Sequence, residues 1–143
     1  MFFMITNDLT HFPLVITVFD SAPTIEQQKV FFTQWTRWFK KKQKFVTLRI
    51  YKNENALQRP DGSGQETKQW MENNRENIQQ SVVAMANVLP ETTENQRGSK
   101  SRLGIPNDNF TQIEEAMDWL FDHLALADIN IDRQSVLNTI AKL

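Results

Sequence analysis

The chain has 143 residues, 40% hydrophobic and 23% charged, with a net charge of −1. That length and balance fit one soluble globular domain with a core of its own, and the near-neutral charge gives no overall drive toward nucleic acid or an anionic membrane. The absence of cysteine excludes disulfides, thiol nucleophiles and thiolate metal sites and agrees with a cytoplasmic setting.

The first six residues (MFFMIT) are apolar, but brief and without a basic flank. They predict a short edge strand turning at Asn7-Asp8, with neither a signal peptide nor a membrane span. Residues 13–19 (PLVITVF) form a near-continuous apolar run, as a strand covered on both faces requires. Thr24 and Gln27 then stand at the spacing of a capping box. Phe31, Phe32, Trp35, Trp38 and Phe39 recur at three and four residues, the stripe of a long helix closed by the lysines at 40–42.

Residues 45–51 (FVTLRIY) are the strongest strand signal, with Val46, Leu48 and Ile50 toward one face and Phe45, Thr47, Arg49 and Tyr51 toward the other. A polar loop follows over 52–62. Ser63 and Glu66 form a second capping box, heading a weakly apolar helix over about 65–80 anchored by Trp70, Met71 and Ile78. Residues 82–89 (VVAMANVL) read as another buried strand. The polar stretch 91–109, with Gly98, Gly104 and Pro106, predicts a mobile loop with room for one more short strand near 103–105 or Phe110. Thr111 and Glu114 give a third box, followed by the stripe Ile113, Ala116, Met117, Leu120 and Leu124. Residues 132–143 close the chain as a short helix.

Strand, capping box and helix recur three times, which predicts an α/β fold: a mixed four- to five-stranded sheet, helices packed mainly on one face, and a short C-terminal helix. The run at 13–19 leading to the box at 24–27, the strand at 44–48, the Trp70-bearing helix, the run at 82–88 and the closing helix at 110–120 (FTQIEEAMDWL) together resemble STAS-like (SpoIIAA-like) domains over most of residues 10–125. The resemblance implies a binding or regulatory role rather than catalysis. In phosphorylated members of that group a serine follows an aspartate at a helix start. Asp61 and Ser63 are the nearest counterpart here, behind a longer loop at 52–60 and with a polar stretch at 91–102 where those proteins carry a helix.

Candidate chemistry is sparse. His11 and His123 match no ligand spacing, and the chain has no nucleophile elbow, Walker loop or dinucleotide-binding glycine motif, so no catalytic residue, metal or cofactor is expected. The tryptophans and lysines of residues 35–44 mix as in nucleic-acid surfaces, but the rings fall on the helix stripe that a core claims and the lysines suit the helix end, so no nucleic-acid partner is expected. Arg49 and Tyr51 offer a contact surface for an anionic group or a protein if their face is open; if it is covered, Arg49 needs a partner. The sequence therefore reads as a non-enzymatic module for a protein partner, with Ser63, Asp61, Arg49 and Tyr51 as candidate binding or regulatory residues. A homodimer stays open, as does a small enzyme or apolar-ligand site built by loops 52–64 and 91–109.

Overall fold

The computed structural model describes residues 5–57, 63–90 and 104–143. Five strands form one mixed sheet: β1 (Ile5–Asp8), β2 (Leu14–Phe19), β3 (Phe45–Tyr51), β4 (Val82–Val88) and β5 (Asn107–Phe110). Their order in space is their order in the chain, with β1 antiparallel to β2 and every later pair parallel. The first edge strand runs through Asn7-Asp8, and the chain reverses after it. Of the stretch expected to form a loop, residues 107–110 make β5, whereas residues 91–103 lie outside the described set.

Helix α1 (Ile25–Lys40) crosses from β2 to β3; α2 (Ser63–Asn73) and α3 (Arg75–Ser81) lie between β3 and β4. Successive parallel crossovers of one hand that step the same way must lie on the same face of the sheet. The packing agrees. Val15, Phe19, Phe31, Trp35, Trp38, Phe39, Phe45, Ile78 and Met85 make one buried cluster, with Trp70 and Met71 of α2 against it. Helices α4 (Ile113–Leu126) and α5 (Arg133–Lys142) cover the opposite face, where Leu14, Ile16, Val46, Leu48 and Ala86 meet Ala116, Met117, Leu120, Leu124 and Val136. Three of the five helices thus share one face and the closing pair takes the other. Burial on both faces explains why β2 is buried at every position and reads as an unbroken apolar run.

Local chemistry sets the helix ends. At α1 the Thr24 hydroxyl accepts from the Gln27 backbone at 3.1 Å while the Gln27 side chain accepts from the Thr24 N–H at 2.9 Å, the reciprocal box expected. The box expected at Thr111 is not made: Thr111 still belongs to the bend leaving β5, and Gln112 is the N-cap, with no side-chain capping bond. The single helix expected over 65–80 is broken at Asn74. There the carboxamide donates to the Trp70 carbonyl at 2.9 Å, competing with the backbone N–H that bonds the same oxygen at 3.0 Å. Helix α2 rests on α1 through Trp70 stacked on Phe32, ring centroids 4.5 Å apart, and through Gln28 donating to Thr67 at 2.9 Å. Helix α4 ends in a left-handed residue, Asp128 (φ 58°), with Ile129 donating to the Leu124 carbonyl and Asp128 to that of Ala125, a Schellman closure.

Candidate functional site

Each strand contributes one polar residue to a row that the register aligns across the sheet. Asn7 of β1 faces Thr17 of β2, Thr17 faces Arg49 of β3, Arg49 faces Asn87 of β4, and Asn87 faces Asn109 of β5. The row crosses the whole sheet on the face that α1 covers. In the parallel strands it lies past the midpoint of β3, β4 and β5, toward their carboxyl ends.

The row is bonded at both flanks. The Thr17 hydroxyl donates to the Asn7 carboxamide oxygen at 2.7 Å, and the Asn7 amide donates to Gln34 of α1 at 2.5 Å. On the other flank Asn87 donates to the Asn109 side-chain oxygen at 3.1 Å, and the Asn109 N–H reaches the Asp108 carboxylate at 2.8 Å. Arg49 in the middle joins neither flank. Its guanidinium carbon lies 5.4 Å from the Phe31 ring centroid and 5.1 Å from that of Trp35, so its contacts are aromatic. Its Nε is buried with no hydrogen-bond partner, and among the described residues no carboxylate pairs with it.

That arrangement is electrostatically one-sided. The guanidinium is a permanent cation with five donors in a planar fork. Rings stabilise it by about 0.5–2 kcal/mol but supply no acceptor. A half-buried cation held in one orientation favours an incoming carboxylate or phosphate over water, because the ordering and much of the desolvation precede binding.

Of the two alternatives for the face of Arg49 and Tyr51, the covered one holds, and the partners Arg49 meets there are rings. Tyr51 lies on the same face and stacks on Phe19, 4.6 Å between centroids and 5° from parallel. Asp61 lies outside the described residues. Ser63 is the first residue of α2, and its side chain is outside them too. The sequence reading passed over Asn7, Thr17, Asn87 and Asn109; the available signal was a lone polar residue inside an apolar strand at Thr17 and Asn87, with none at Asn7 or Asn109, and only the strand register shows that the four align.

Two further buried polar atoms, Trp35 Nε1 and Thr47 Oγ1, also lack partners, and both belong to the layer between α1 and the sheet. The two histidines serve packing. His11 shares a 2.7 Å hydrogen bond with Thr139, tying the turn before β2 to α5, and His123 packs 4.4 Å from the Trp119 ring. Among the described residues no three potential metal ligands gather, and no helix is long and apolar enough to cross a membrane.

A mixed sheet with helices on both faces and a polar row through its middle defines an α/β protein. Beyond that class, no family model matches the sequence, and no curated protein or solved structure matches it.

Proposed function

We propose that this chain is a STAS-like binding or regulatory module that engages a protein partner, with Arg49 receiving an anionic group of that partner. The observation that carries the reading is a guanidinium paired with no carboxylate among the described residues, wedged against Phe31 and Trp35 and flanked in register by Thr17 and Asn87. A half-buried cation surrounded by rings is partly desolvated with no anion to compensate, and an incoming carboxylate or phosphate would supply that compensation.

The test is capture from the native host at low and high salt with wild type, Arg49→Lys and Arg49→Gln, each checked for an unchanged melting temperature. The partner retained by wild type is lost from Arg49→Gln and weakened roughly tenfold in Arg49→Lys, which keeps the charge without the fork. Equal retention by all three variants overturns the role of Arg49. In the same assay Ser63→Asp binds as wild type does, since the capping pattern at Ser63 makes it a helix-start residue rather than a phosphoswitch. A loss above tenfold in that variant, with the fold intact, restores the switch.

A further inference from the structure

A second surface lies at the edge of the sheet and does not depend on Arg49. Five of the eight residues from 37 to 44 are basic: Arg37, Lys40, Lys41, Lys42 and Lys44. All five are exposed, and the ion pairs among the described residues, Lys29 with Glu66, Lys52 with Asp20 and Arg133 with Asp118, include none of them. Arg37, Lys40, Lys41 and Trp38 line a groove of about 480 Å³ whose opposite wall carries Asn7 and Leu9, and among the described residues no acidic one lines it. Leu9 leaves 42% of its surface exposed. Lys42 holds φ 52°, where a glycine would sit without strain, so a charge stands at a position the backbone would rather leave bare.

The wall with Asn7 and Leu9 belongs to the end of β1, an edge strand. Strand β1 pairs only with β2, and among the described residues nothing pairs with its outer side. An outer strand edge is a row of backbone donors and acceptors ready for another chain. Side chains of an added strand alternate between faces, so every second one would point toward α1 and into the basic groove. We infer that an extended acidic segment of a partner protein adds as a strand to the free edge of β1, placing its carboxylates against Arg37, Lys40 and Lys41. Single-stranded nucleic acid fits less well. Trp35 and Trp38 are only 2% and 3% exposed, so the basic run presents no stacked indole platform for bases.

The experiment measures fluorescence anisotropy with three labelled probes: an alternating Glu-Thr octapeptide, a Glu-Pro octapeptide of equal charge, and an oligothymidylate of eight nucleotides. Wild type binds Glu-Thr at low salt and releases it at high salt. Binding falls roughly tenfold in Arg37→Glu/Lys40→Glu/Lys41→Glu and less in the corresponding glutamine variant. Glu-Pro, which lacks alternate backbone donors, does not bind, and amide exchange at Ile5–Asp8 slows when Glu-Thr is present. Equal binding of Glu-Pro means that charge alone acts and overturns strand addition. Tighter binding of the oligothymidylate overturns the protein partner. No binding of Glu-Thr, or binding indifferent to the triple substitutions, overturns the site altogether.

Discussion

Thr47 and Arg49 stand two residues apart on β3 and meet the same layer of rings, yet their unpartnered atoms differ in consequence. Arg49 is half-buried, whereas Thr47 is 1% exposed and its hydroxyl meets no acceptor. Replacing a buried unsatisfied hydroxyl with a methyl of similar shape removes a desolvation penalty. Thr47→Val is therefore expected to raise unfolding stability by about 1 kcal/mol in urea titration; a loss of similar size would mean that the hydroxyl has a partner. Asp132 shows the opposite case, a polar group with its needs met. The Ser135 hydroxyl donates to its carboxylate, and this bond above all holds its pKa below the ordinary value. Because the folded value is the lower one, the contribution is complete above the ordinary value and is lost as pH falls through it toward the depressed one. Ser135→Ala should accordingly narrow its stability deficit relative to wild type as denaturation is repeated from pH 6 down to pH 3.

The elements most legible in the chain are those whose cause is local. Strand β3 spans the seven residues read from its β-branched and aromatic content, and α1 opens at the box of Thr24 and Gln27. The spacing at Thr111 is equally suggestive and yet inert, because the bend out of β5 uses that residue and Gln112 caps the helix instead. A motif states which bonds are available; the path of the preceding strand decides whether they form. The two sites give a clean comparison: Thr24→Ala should cost ~0.5–2 kcal/mol and Thr111→Ala close to nothing, measured by thermal unfolding of each variant. The break at Asn74 was legible only in part, since the Asn73-Asn74 pair lies inside a weak helical pattern whose anchors fit one long helix as well as two short ones. Lys42 ends α1 in the left-handed region, and Lys42→Gly should stabilise by about 1 kcal/mol by removing the Cβ conflict.

At the scale of the whole molecule, two cores share one sheet. Leu120 of α4 is fully buried on one face and Ile78 of α3 is 1% exposed on the other. Leu120→Ala should cost ~2–5 kcal/mol and Ile78→Val ~0.5–1.5 kcal/mol. With a layer of backbone between them the losses should add to within about 0.5 kcal/mol in a double-mutant cycle, with one unfolding transition throughout. Two transitions would show that the faces melt separately. The polar row belongs to this scale and is the least legible feature of all. Each member is an ordinary residue in its own strand, and alignment depends on registers between segments far apart in the chain, such as Arg49 with Asn87, a quantity no local pattern encodes.

The strand order carries one more implication. In sheets whose order reverses, a later strand must be fitted beside an earlier one after the chain has turned back, and the crevice at that reversal is where small ligands settle. Here each strand is laid beside the one made just before it, from β1 to β5. Assembly can keep pace with synthesis, each new strand finding its template already in place, since domains form as the chain emerges and contacts close in sequence form fastest. The face under α1 to α3 is complete before α4 exists, so a growing chain presents Val46, Leu48 and Ala86 bare until α4 and α5 arrive to cover them. The step that exposes this protein most to aggregation is the wait for its final two helices.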